Sequence, residues 1–286
     1  MKYEKLVSEV NAVLREYDVA LTLRQLFYRL VSRHVFANTE RNYKHLSRVL
    51  VKAREREDVD ASRIEDRSRQ VLGQGDWGYE SSESFLSNVE RGLREAWKRF
   101  SLTLWEDQLC QVLVALEKDA LSRLISTVAG DFRVKTFPMR GYGSYTYVSE
   151  IAQECAGDKP TIILYLGDYD PSGLDIQRDL ESRLERYGAE DFEIKRVALT
   201  LDQIQRHQLP PLPAKTSDPR LARFIADTGG SDVVELDALP PNILQDVVRN
   251  AIRHHIDMEK WNARVKHIHE QKEKLRQKLE TLEVKW

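Results

Sequence analysis

The chain has 286 residues, 41% hydrophobic and 31% charged, with a formal net charge of −2. That apolar share supports packed cores and excludes a disordered polar chain, and no apolar run approaches the ~18 residues of a membrane span. Two cysteines, Cys110 and Cys155, exclude a disulfide framework, and no apolar segment follows Met1, so a soluble, cytoplasmic protein is expected.

In chain order, Tyr3, Leu6, Val10, Val13 and Tyr17 recur at helical spacing. Thr22 reads as the N-cap of a second helix reaching about Arg33, with Leu23, Leu26, Phe27 and Leu30 as its stripe. Asn38 or Thr39 caps a third, to about Arg56. Three short helices and an irregular piece over 58–72 predict a winged-helix or helix-turn-helix module. Residues 73–78 (Gly-Gln-Gly-Asp-Trp-Gly) read as a turn-rich linker, and 84–100 as a connector helix. Strands are expected at 111–116, 132–137, 161–167 and 192–199, with helices between them. That alternation predicts an α/β domain with a parallel sheet. Residues 209–219 are proline-rich and expected to be extended. A long charged helix is expected from about Asn242, with Leu275, Leu279 and Leu282 along one edge. The expected organisation is 1–72 winged helix, 73–108 linker and connector, 109–200 parallel-sheet domain, and 201–286 extended segment and C-terminal helices.

On a helical wheel, Arg41, Lys44, Arg48 and Lys52 fall within roughly 80° of one another, opposite Leu46, Leu50 and Ala53. Such a face suits DNA phosphates, although the net charge excludes a protein that is basic throughout. The same wheel places Tyr28 about 130° from the middle of its helix's apolar stripe and therefore predicts an exposed phenol. Arg24 lies four residues earlier on nearly the same face. A phenol beside a guanidinium can act as a nucleophile on a phosphate, or be an ordinary surface tyrosine stacked on arginine.

Glu117 directly follows the strand at 111–116, and Asp168 and Asp170 follow the strand at 161–167. Ligands of open parallel sheets gather beyond the carboxyl ends of strands. The three acids are therefore expected to converge there, with Asp168 and Asp170 pointing at one cation. Oxygen ligands beside phosphates favour Mg²⁺; helix capping is the alternative role for the two aspartates. Asp175 is a first-turn helix acid or a neighbour of that site. Gly141-Tyr142-Gly143 is a tight turn or a phosphate approach. His267 and His269, two apart on a helix, do not share a face, so no histidine is assigned a metal.

Leu113-Val114-Ala115-Leu116-Glu117-Lys118-Asp119-Ala120 and Gly167-Asp168-Tyr169-Asp170-Pro171-Ser172-Gly173-Leu174-Asp175-Ile176 resemble the glutamate and Asp-x-Asp motifs of a Toprim domain. The Asp-Pro-x-Gly-x-Asp-Ile form, with Thr22-Leu23-Arg24-Gln25-Leu26-Phe27-Tyr28 before it, resembles the topoisomerase VI A subunit and the related meiotic double-strand-break transesterase. The resemblance spans roughly residues 5–200. It implies Tyr28 as nucleophile, Arg24 as its neighbouring arginine, and Glu117, Asp168 and Asp170 as Mg²⁺ ligands. Gln25 departs from the family's usual aspartate, and the chain lacks an ATPase domain. The reading is Mg²⁺-dependent cleavage of double-stranded DNA by a topoisomerase-like transesterase, with a separate ATPase subunit among its partners. The alternatives are a hydrolytic Toprim nuclease of the plasmid- or phage-defence type, in which Tyr28 is not catalytic, and a non-catalytic DNA-binding subunit. With Tyr28 and the acids on domains joined by a long connector, a homodimer is expected, the tyrosine of one subunit meeting the metal of the other.

Overall fold

Helix α1 (Tyr3–Arg15) buries Leu6, Val10, Val13 and Leu14, the expected stripe. The computed structural model describes residues 2–65 and 78–281. A short strand β1 (Leu21–Thr22) leads into α2 (Leu23–Ser32). Thr22 and Gln25 form a reciprocal cap at its start: the Gln25 N–H donates to Thr22 Oγ1 at 3.1 Å, and the Thr22 N–H donates to Gln25 Oε1 at 3.0 Å. That gives Gln25 a structural role at the position where the resemblance departs. Helix α3 (Glu40–Glu55), capped by Thr39, buries Leu46, Leu50 and Ala53. Strand β2 (Ile64–Glu65) pairs in parallel with β1. Ala61–Arg63 form a single 3-10 turn before it, while residues 66–72 of the expected irregular piece and all but Gly78 of the expected linker lie outside the described residues.

Helix α4 (Ser82–Arg94) precedes the sheet. Strand β3 (Gln111–Leu116), helix α5 (Ser122–Asp131), β4 (Lys135–Pro138), α6 (Tyr145–Glu154), β5 (Thr161–Leu166), α7 (Pro171–Arg186) and β6 (Phe192–Ala198) then alternate. The four strands form a parallel sheet in the order β4-β3-β5-β6. The chain steps from β3 outward to β4, then crosses back over β3 to β5. The direction of winding therefore reverses between β3 and β5, and their carboxyl ends flank the crevice where ligands of such sheets bind.

Side chains alternate across the sheet. Leu113, Ala115, Ile163 and Tyr165 pack with Val148 and Ile151 of α6 and with Ile176, Leu180 and Leu184 of α7. Helix α5 and the later α10 (Pro241–His254) pack against one another, with α10 also reaching β5 and β6. Between the sheet and α10 come α8 (Leu201–Arg206), β7 (Leu212–Pro213), α9 (Leu221–Thr228) and β8 (Asp232–Val233). The proline-rich piece is thus not merely extended: β7 and β8 pair antiparallel. The expected single tail helix is two, α10 and α11 (Met258–Glu280). Pro240 and Pro241 start the first, and Asp257 caps the second. The four buried apolar side chains of α10, Pro241, Leu244, Val248 and Ile252, make it a core helix rather than a charged tail.

Residues 2–65 and 110–255 group into one compact unit, and 78–109 with 256–281 into another. The four segments expected from sequence are thus regrouped: the N-terminal helices and the sheet share a unit. In the second unit, Trp105 meets Trp261 edge to face. There the buried Gln108 accepts the Asp257 N–H at 2.7 Å. Leu275 and Leu279 on α11 are half-buried, and Leu282 lies outside the described residues. Among the described residues, no helix is long and apolar enough to cross a membrane.

Candidate functional site

Glu117 leaves β3 at the crevice, and its Oε2 accepts the backbone N–H of Asp168, across the neighbouring strand end, at 2.9 Å. Room for that carboxylate comes from two glycines. A Cβ on Gly167 would stand 2.7 Å from Glu117 Oε2, and one on Gly173 would stand 3.0 Å from Oε2 and 2.2 Å from the Asp168 carbonyl oxygen. The glycines of the Gly-Asp-x-Asp-Pro-x-Gly run are thus required by close approach. Burial raises the Glu117 carboxyl above its ordinary range, and the nearby Asp170 charge adds to the rise.

Asp168 is buried. Its Oδ1 accepts the Leu236 N–H at 2.7 Å and lies 3.0 Å from Lys118 Nζ. Burial pushes its carboxyl up to about 7, although Lys118 opposes the shift. Asp170 Oδ1 accepts the Gly173 N–H at 2.6 Å and so caps α7. Asp168 thus faces the Lys118 ammonium, and Asp170 takes the helix-capping role that was the alternative expected for it. Among the described residues, no three acidic, histidine or cysteine side chains gather as a ready metal cage. The donor set still fits Mg²⁺, an ion commonly held by one or two carboxylates and completed by water and substrate phosphate. Glu117 and Asp170 are oxygen donors close enough for the Asp170 charge to add to the rise that burial causes in Glu117, a rise that Lys118 and Arg196 oppose.

Lys118 joins this site to residues far along the chain. Its Nζ lies 2.7 Å from Asp237 Oδ2 and 3.2 Å from Glu235 Oε2, besides Asp168. Burial works against its charge, but Asp237, Asp168 and Glu235 outweigh that and hold the ammonium well above its usual range. Glu235 and Asp237 also reach α2: Arg24 Nη1 donates to Glu235 Oε1 at 3.0 Å, and Thr22 Oγ1 donates to Asp237 Oδ1 at 3.3 Å. Arg29 donates to the Ala238 carbonyl. Helix α2 and the strand-end acids therefore meet within one chain, which overturns the separation that called for a tyrosine acting in trans.

Tyr28 is also corrected. It is 1% exposed, packed edge to face on Phe27, and burial pushes its phenol above the ordinary range. The wheel failed because α2 is covered on more than one side: Gln25 and Arg29, off the apolar stripe, are buried too. Arg24, by contrast, stays partly exposed, with its guanidinium 4.5 Å above the Tyr43 ring.

A cleft of about 540 Å³ opens here. Thr22, Arg24 and Tyr43 line one side, and Glu117, Lys118 and Arg140 the other. Arg41, Lys44, Arg48 and Lys52 are all exposed on α3, as the wheel predicts. Lys44 pairs with Glu40 at 2.7 Å, and Lys52 lies over the Tyr3 ring. Asp175 pairs with Arg178 at 2.7 Å and accepts from the Tyr142 hydroxyl. Gly141 adopts a φ of 83°, as a tight turn requires, and a Cβ on Gly143 would lie 2.9 Å from both Met139 and Val148.

Four residues of the site escape sequence reasoning: Lys118, Arg196, Glu235 and Asp237. Arg196 donates to the carbonyls of Gly167, Asp168, Gly173 and Leu199 at 2.9–3.2 Å, and so braces the acidic turn. A cation inside a strand was a usable signal, because a charge there needs partners. So were two acids, two apart, after Val233-Val234.

Compared with known proteins, the chain matches no family model and no curated protein.

Proposed function

We propose that this chain is a Mg²⁺-dependent DNA-cleaving enzyme of the winged-helix and Toprim kind, working by hydrolysis of a phosphodiester. The observation that carries this reading is the position of Glu117 and Asp168 at the winding reversal of the sheet, beside a cleft whose far wall holds Arg24 and Tyr43. Glu117 and Asp170, with Asp168 beside them, would hold the ion. Mg²⁺ supplies, when bound, positive charge against the charge developing on the phosphate. Arg24, Lys118 and Arg140 orient the phosphate from both walls, and the exposed α3 cations hold the flanking backbone. Arg196 fixes the acidic turn so that the carboxylates need not reorganise.

Burial of Tyr28 favours hydrolysis over attack by its phenol. Transesterification stays as the second reading, on one observation: Arg24 and Lys118, the cations of the same cleft, act on the Tyr28 phenol, against the larger effects of its burial and of the Glu235 charge. A double-strand break requires two such sites, so two copies on one duplex form the expected working unit. The test is incubation of supercoiled plasmid with Mg²⁺ or chelator, followed by denaturation and assay for DNA bound covalently to protein. Hydrolysis predicts Mg²⁺-dependent nicks with free ends; cleavage in chelator would refute the metal.

A further inference from the structure

Two cations line the cleft from distant parts of the chain, Arg24 on α2 and Lys118 after β3. One carboxylate bridges them. Glu235 places Oε1 3.0 Å from Arg24 Nη1 and Oε2 3.2 Å from Lys118 Nζ. Two oxygens of one anion, each held by its own cation, is also how the non-bridging oxygens of a phosphodiester are gripped. We propose that Arg24 and Lys118 form a phosphate subsite for a DNA strand, in which Glu235 is the resident anion that the strand displaces. This rests on the DNA reading above.

The surroundings distinguish Glu235 from its neighbour. Asp237 is 2% exposed, takes both Lys118 and Thr22, and is part of the packing. The Glu235 side chain is 23% exposed and its Arg24 partner 41%. Its backbone is pinned, because Val234 and Tyr169 exchange N–H bonds at 2.9 and 3.0 Å. The side chain can therefore swing out while the strand stays. Both cations keep their places when it leaves: Arg24 rests on the Tyr43 ring, and Lys118 retains Asp168 and Asp237. A small anion gains little from evicting Glu235. A polyanion that also engages the α3 face gains several phosphate contacts at once, so the resident acid selects for a strand over free phosphate.

The experiment measures binding of a short fluorescent DNA duplex in chelator across a salt series. The proteins are wild type, Glu235→Gln, Arg24→Gln and the double variant, each checked by thermal melting. Removing the resident charge should tighten binding up to about fivefold, the upper range for a partly exposed ion pair. The slope of log affinity against log salt should stay at the wild-type value, because the strand makes the same phosphate contact in both proteins, and should fall by roughly 0.9, one lost contact, in Arg24→Gln. In the Arg24→Gln background the gain should disappear. Unchanged or weaker binding by folded Glu235→Gln overturns the subsite. If that variant does not fold, Glu235→Asp decides: its shorter carboxylate cannot span both cations, so binding tighter than wild type supports the subsite, and equal or weaker binding overturns it. Wild type that fails to bind the duplex at any salt overturns the DNA reading as well. Wild type whose slope depends on Arg48 and Lys52, with Glu235→Gln unaltered, overturns the subsite alone.

Discussion

Asp168 donates its backbone N–H to Glu117 Oε2 at 2.9 Å, so the acid ending β3 is held by the turn that ends β5. The bond aligns a carboxylate across the crevice without consuming its second oxygen. Glu117→Gln keeps the size and an acceptor for that N–H while removing the charge. Mg²⁺-dependent plasmid nicking should fall by roughly a hundredfold or more, since even partners of metal ligands cost 10–100-fold. Duplex binding in chelator should be retained. Nicking by Glu117→Gln at the wild-type rate would remove this carboxylate from the chemistry.

Gly173→Ala tests the close approach. Its Cβ would meet the Asp168 carbonyl at 2.2 Å, and a backbone atom cannot swing aside. Overpacking of this kind costs about 1–3 kcal/mol. The variant should melt earlier and lose nicking, whereas Gly130→Ala, with open space around its Cβ, should do neither. Equal stability for the two alanine variants would mean that the turn is looser than drawn.

Helix existence and strand order of appearance were legible in the sequence, because apolar spacing and caps such as Thr22 and Thr39 are local. The strand-end acids were legible because a βα turn puts them there whatever surrounds the sheet. Two things were not legible. The burial of Tyr28 depends on what covers α2, which a wheel of one helix cannot show. The Lys118, Glu235 and Asp237 cluster depends on a segment over a hundred residues later returning to β3, as the Lys118–Glu235 separation of 117 shows. Asp168 was read as a metal ligand or a helix cap, and its tertiary partner Lys118 only as part of a motif, so their ion pair went unseen.

The α3 face makes a separate prediction. Arg48 and Lys52 are exposed, and no carboxylate is paired with either among the described residues. Replacing both by alanine should weaken duplex binding and lower the salt slope by up to about 1.8, at roughly 0.9 per lost phosphate contact. Stability should change little, since both project from the solvent side. A slope equal to wild type would mean that this face only carries solvent.

Asp168 gives a pH prediction of definite sign. Burial holds its carboxyl at about 7, against 3.8 in the unburied group. Between those values the native chain keeps a proton that the unfolded chain has released. Stability therefore falls as pH rises through roughly 4 to 7. Denaturant titrations across that window should show the decline in wild type and a flatter profile in Asp168→Asn. Added Mg²⁺ should recover stability at the alkaline end, where the carboxylates are charged. Identical profiles for the two proteins would assign the pH dependence elsewhere.

Tyr28 decides between the two chemistries. Its ring is buried on Phe27, and its phenol resists ionisation because burial disfavours the phenolate. Tyr28→Phe retains the ring and its packing and removes only the hydroxyl. Under hydrolysis the variant should nick plasmid within a few-fold of wild type, and neither protein should leave DNA attached after denaturation. The opposite result, no cleavage by Tyr28→Phe and a protein–DNA adduct with wild type alone, would make the phenol the nucleophile. It would also require α2 to uncover its buried face on DNA, because a ring 1% exposed cannot reach a phosphate from where it lies. Hydrogen exchange of α2 amides with and without duplex would then show deprotection on binding. Cleavage by Tyr28→Phe together with an α2 equally protected in both states would instead place the tyrosine in the packing between α2 and the 236–238 turn, and leave the reaction to the acids.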